Sequence, residues 1–201
     1  MWAQGLLGTT ALLGGMTLIP NSLVDVVGTL VVNPLKARFS NRTLLSMGLI
    51  CILISSLGLA LAPQSTNIWW LAGIGTFSGF GVGFIFVLLQ IKVQVDASEK
   101  NMAPATSLSY LIRILAQTVM AAVYGVIMNM ELARGVRGNS GITMGMLNKL
   151  SDANSAKNLP QNLLPTMRNI FHLGLQEIMW CATALLVIAI VLNLVFNKKS
   201  K

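Results

Sequence analysis

Five blocks of mostly apolar residues, running from about residue 6 to 32, 44 to 62, 68 to 93, 104 to 129 and 175 to 196, constrain this chain more than any other feature. A hydrocarbon core about 30 Å thick requires about 20 consecutive, mostly apolar residues per helix, and each block approaches or exceeds that length. Of the 201 residues 54% are hydrophobic and 10% charged, against about 25% charged in an ordinary soluble domain. A water-soluble fold would lack the polar residues to cover its surface. The expected fold class is all-α: a polytopic transmembrane helix bundle in contact with the lipid bilayer over most of its length.

The formal net charge of +8 would suggest nucleic acid as a partner for a soluble protein, but the basic residues sit mainly between the apolar blocks. Anionic lipid headgroups are their natural partners there, and no nucleic acid is expected. Basic residues of short loops favour the cytoplasm. The stretch 33–43 carries three, 63–67 none, 92–104 two and the tail Asn197–Lys201 three. These place the N-terminus outside, the C-terminus in the cytoplasm and the long polar segment 130–174 outside, in a multi-pass protein of the plasma membrane. That segment carries Arg134, Arg137, Lys149, Lys157 and Arg168 against the rule, which weighs long loops less. It is too polar to span, although a short amphipathic helix fits around Met144 to Leu150. The start Met1-Trp2-Ala3-Gln4 lacks the basic region of a secretory signal. An odd number of spans with an external N-terminus suits part of a longer transporter, inactive alone, better than a self-sufficient protein.

Arg113 lies about nine residues, or about 14 Å, into the fourth block. An arginine at a span centre costs about 2.5–3.5 kcal/mol on insertion scales and usually faces a cavity or a partner; snorkelling to the headgroups is the alternative. Gln117, four residues on, shares its helix face and extends a polar stripe, making both candidates for a substrate path. Asp25 is the one acid well inside an apolar block. An intramembrane carboxylate can take up and release a proton where burial favours its neutral form, and lying near the interface or pairing with a base are the alternatives. Gly75, Gly79 and Gly83 recur at four-residue spacing on the third block, a pattern that admits close approach of another helix. Cys51 and Cys181 lie inside apolar blocks and read as small buried hydrophobes. His172 reads as a surface histidine without ligand partners. No nucleophile set, zinc motif or P-loop is present, so no enzyme, metal or cofactor is expected.

Three stretches resemble the C-terminal half of a major facilitator superfamily transporter, within the fourteen-span drug:proton antiporter family. The first is Gln4-Gly5-Leu6-Leu7-Gly8 with Ala11, Gly14-Gly15 and Leu18-Ile19-Pro20. The second is the turn from Asn33 to Arg42, similar to the second copy of that family's cytoplasmic Gly-Arg-Leu-x-Asp-Arg-x-Gly-Arg-Arg loop. Leu35, Arg38, Phe39 and Arg42 match it, while Asn33, Ala37 and Ser40 stand where glycine, aspartate and glycine are usual. The third is Ala105-Thr106-Ser107-Leu108 with Arg113, Gln117, Thr118 and Gly125, in which Ala116 and Met120 replace glycines. The resemblance implies a partial major-facilitator fold. It also implies multidrug efflux of small amphipathic or cationic substrates in exchange for protons, completed by a missing N-terminal half. A non-transporting membrane assembly or regulatory module is the competing expectation, favoured by the glycine faces.

Overall fold

In a computed structural model of the chain, residues 2–150, 153–156 and 158–196 are described. Lys157 and the tail Asn197–Lys201 lie outside them, as do the side chains of Gln4 and Ala11. The described residues form helices and connecting turns, with no strand among them. A π-helical turn, Trp2–Leu6, precedes α1 (Ala11–Met16), α2 (Leu18–Lys36), α3 (Asn41–Ala60) and α4 (Ile68–Asp96). A 3₁₀ turn, Glu99–Asn101, leads into α5 (Met102–Gly138), which α6 (Met144–Leu150), α7 (Ala153–Ala156) and α8 (Leu164–Phe196) follow. Five helical stretches are long and apolar enough to cross a membrane: Leu12–Lys36, Asn41–Ala60, Ile68–Asp96, Glu99–Gly138 and Leu164–Phe196.

Local chemistry sets several of the boundaries. Ser40 caps α3 by accepting a hydrogen bond from the Thr43 amide, and Asn67 caps α4 by accepting from that of Trp69. Trp69 and Trp70 then stand exposed at the start of α4, as amphipathic indoles do at a membrane–water interface. Pro104 occupies the first turn of α5, where its missing N–H costs no intrahelical bond. Gly8, at φ +65°, makes the left-handed turn between Leu6 and α1.

The structure moves some boundaries. The first span begins after Gly8 rather than at Leu6, because the chain turns back there and the Thr9 hydroxyl donates to the Ala3 carbonyl. Helix α2 continues through Asn33 and Pro34 to Lys36, so the polar turn shrinks to residues 37–40. Helix α5 runs past Asn129 to Gly138, and α8 begins at Leu164 rather than near Leu175. Their lengths, about 55 and about 50 Å at 1.5 Å per residue, exceed a hydrocarbon core of about 30 Å. The extra turns remain helical because they bury Met128, Leu132, Met167, Ile170 and Phe171 against Ile142, Leu147, Leu150 and Leu159 from the intervening segment. The described residues of what reads as a polar external loop therefore form a small packed lobe. The helix Met144–Leu150 forms part of it.

Helix α4 packs between α2 and α3, α3 between α4 and α8, and α8 against α5, which also touches α4. Contacts run in the same sense along α2 and α4 (Asn21 with Gly79, Asp25 with Gly83) and in opposite senses along α3 and α4 (Gly48 with Ile85, Gly58 with Ile74). Successive spans therefore cross in alternating directions.

Candidate functional site

Arg113 projects from α5 toward α4. Its guanidinium carbon lies 3.8 Å from the centroid of the Phe86 ring on α4 and 4.5 Å from that of Tyr110, one turn earlier on its own helix. Both distances suit cation–π attraction. Among the described residues Arg113 makes no ion pair and no hydrogen bond. Gln117 and Gln90 line the same cavity of ≈ 650 Å³, walled by α5, by Val82, Ile85 and Leu89 of α4, and by Ile52 of α3. Small-molecule pockets range from about 300 to 1,000 Å³, with mostly apolar walls and a few convergent polar groups. The neighbouring Thr118 spends its hydroxyl locally, donating to the Ile114 carbonyl at 2.9 Å.

Asp25 stands elsewhere, where α2 crosses α4. Its Oδ1 is buried and has no hydrogen-bond partner among the described residues. The backbone of Gly83 lies directly against it, and that of Gly79 against Asn21, so closely that a Cβ at either glycine would collide with an α2 backbone carbonyl. Gly28 of α2 answers with its own close approach, 2.6 Å from a Cβ built there to the Phe80 carbonyl. Gly75 does not join this contact. Nothing lies within 4 Å of its Cβ position, and it opens onto a second cavity of ≈ 450 Å³ shared with Trp2, Asn21, Ser55 and Ser78. The four-residue spacing drifts around a helix of 3.6 residues per turn, and one turn before Asn21 the partner helix is interrupted at Thr17, between α1 and α2.

The motif residues of the turn divide into two roles. The Leu35 carbonyl accepts from the Arg38 and Phe39 amides at 3.0 and 2.9 Å, and its side chain packs on Val32, Leu44, Phe84 and Leu88. Arg38 and Phe39 are exposed. Arg42 donates through Nη2 to the Leu194 carbonyl at 2.7 Å, placing a cation at the C-terminal end of α8 where the helix dipole favours one.

That bond opens a ladder between antiparallel α3 and α8 that sequence reasoning missed. Asn193 donates to the Arg42 carbonyl (3.1 Å) and to Ser46 Oγ (2.8 Å). Ser56 bonds Thr183 Oγ1 at 2.7 Å and donates to the Met179 carbonyl at 3.1 Å. Gln176 donates to the Ala60 carbonyl at 3.0 Å, and His172 Nε2 to the Ala62 carbonyl at 2.9 Å. His172 is buried, with the Trp2 indole edge-on at 5.4 Å. The surface position expected for it is therefore wrong, because the N-terminal turn folds over the start of α8. Cys51 and Cys181 are free and half-buried.

The structure thus brings Arg113 and Gln117 into one cavity and puts Asp25 at a different interface. It adds Gln90, Phe86 and Tyr110 to the cavity. Tyr110 was findable, three residues before Arg113 on one helix, whereas Phe86 and Gln90 depend on how α4 is rotated.

No family model matches the chain, and no solved structure matches it. It is similar to Multidrug resistance protein 3 of Bacillus subtilis (strain 168), with 27% identity over 127 residues, or 63% of this chain. The matched stretch amounts to 25% of that protein, so the chain spans about a quarter of its relative's length.

Proposed function

We propose that this chain is the C-terminal part of a major-facilitator transporter that exports amphipathic compounds in exchange for protons, and that it is inactive without the helices that complete it. The observation that carries the reading is the half-open groove at Arg113, which a cation and two glutamines line between two helices long and apolar enough to span a membrane. An intramembrane arginine is costly to hold there; Phe86 and Tyr110 offset part of that cost, and a polar path for a solute accounts for its being there. Likeness to a multidrug resistance protein points the same way, as do the Leu35, Arg38, Phe39 and Arg42 motif and the third-stretch pattern around Arg113.

In this reading Asp25 takes up the exchanged proton at the α2–α4 crossing, and Arg113, Gln117 and Gln90 contact the solute. The N-terminus faces out and the C-terminus the cytoplasm of a bacterial-type plasma membrane. Alternating access requires two units rocking about a central site, and α2 and α5 offer the open sides at which a second unit would sit.

The test is efflux driven by a pH gradient from vesicles carrying this chain, with and without a co-expressed N-terminal half of the same kind, using one cationic and one anionic fluorescent amphipath. Efflux of either dye only when the second half is present is expected. Efflux from the chain alone overturns the claim that it is inactive. No efflux of either dye from demonstrably assembled halves overturns transport and leaves the non-transporting assembly module.

A further inference from the structure

We infer that the Arg113 cavity accepts an amphipathic organic anion, a carboxylate or similar oxyanion carried on a flat apolar body, rather than a cation. The inference rests on the transport reading only in making this anion a cargo. The site itself follows from charge and geometry. The two rings that would attract a cationic drug, Phe86 and Tyr110, already face the Arg113 guanidinium at 3.8 and 4.5 Å. A second cation beside those rings would meet the like charge of Arg113 at close range.

The same arrangement leaves an anion well served. The guanidinium N–H groups make no hydrogen bond or ion pair among the described residues, and a guanidinium fork matches a carboxylate in two-pronged fashion. No carboxylate of the described residues takes that place. Gln90 and Gln117 add amide donors on the cavity wall, and Val82, Ile85 and Leu89 supply the apolar surface that an aromatic body would cover. In a low-dielectric setting an arginine without a counter-ion is costly, and the arriving anion supplies that counter-ion. A phospholipid phosphate shares this chemistry and must be told apart from a free solute.

The experiment measures binding by equilibrium dialysis to the purified full chain in dodecyl maltoside micelles, corrected with empty micelles. Its probes are 2-naphthoate and 2-naphthylmethylammonium, which carry the same apolar body with opposite charge. Wild type is expected to bind naphthoate at least about tenfold more tightly than the ammonium compound, and Arg113→Gln to lose about tenfold or more, the range for one charge-assisted hydrogen bond. Arg113→Lys, which keeps the charge but loses the fork, is expected to fall between them.

Equal binding of the two probes, or a preference for the ammonium, overturns the inference. That comparison needs no variant, so it stands even if Arg113→Gln fails to fold. Naphthoate binding that phosphatidylglycerol added to the micelles displaces competitively assigns the cavity to lipid headgroups and overturns the cargo assignment. The outcome is separable from transport. Naphthoate binding without efflux from assembled halves fails the transport reading alone, and cation efflux without naphthoate binding fails this inference alone.

Discussion

The glycines of α4 show how far single residues depend on their neighbours. Gly79 and Gly83 lie against the Asn21 and Asp25 backbone carbonyls of α2 as well as their side-chain oxygens, so even if the side chains swing away a methyl group meets backbone and must move the helix. Gly79→Ala and Gly83→Ala should each cost about 1–3 kcal/mol, the range for overpacking a close contact, read as a loss of thermal stability in detergent. Gly73→Ala and Gly75→Ala, with nothing within 4 Å, should be neutral or slightly favourable; equal losses at all four positions would contradict the packing described. Spacing alone treats Gly75, Gly79 and Gly83 alike, because the sequence records the period but not where the neighbouring helix ends. Asp25 is legible for a different reason, since a charge in an apolar block stands out wherever the helix faces. Asp25→Asn, nearly isosteric, should abolish efflux driven by a pH gradient in the assembled transporter while leaving solute exchange at equal pH intact. If gradient-driven efflux survives, Asp25 is not the proton carrier.

Helices as units were easier to read than their pairing. Apolar blocks announce spans because a bilayer rejects open backbone, and the alternation of short polar turns gives their order. Pairing is decided by side chains that look ordinary in sequence: Ser46, Ser56, Gln176, Thr183 and Asn193 are scattered polar residues in mostly apolar helices, and nothing in their spacing says that α3 and α8 are partners. The bonds between them are modest individually, averaging about 0.6 kcal/mol in double-mutant cycles on membrane helices. A cycle built from Ser56→Ala and Thr183→Val, with unfolding followed in mixed micelles, should therefore give a coupling of about 0.6 kcal/mol. Zero coupling would mean that the 2.7 Å contact contributes nothing to holding α3 on α8. The extended ends of α5 and α8 escaped sequence reading for a related reason. Their basic residues look like loop, but Leu132, Val136, Met167 and Phe171 keep an apolar face that only the packing of Ile142, Leu147, Leu150 and Leu159 on it reveals.

At the scale of the whole molecule, burial is uneven in a way that bears on completeness. A third of the residues in the most apolar stretch of α3 and of α4 are buried, but only 11% in the first span and 6% in the fourth. Leu23, Val27 and Leu30 on α2, and Leu111, Leu115 and Val119 on α5, all project outward. Lipid satisfies such faces, so their apolar character alone does not distinguish a finished surface from one awaiting a partner. What separates them is whether helices of a second unit displace lipid there. In a background with Cys51 and Cys181 replaced by alanine, a fluorophore on Val27→Cys or Leu115→Cys should be strongly quenched by brominated lipid when the chain is alone. Co-assembly with an N-terminal half should relieve the quenching at one or both positions in the same preparation that gains efflux. Relief would tie the open faces to function, since the helices that exclude lipid would be those that confer transport. Efflux gained with quenching unchanged at both sites would place the second unit elsewhere and leave α2 and α5 as lipid-facing walls.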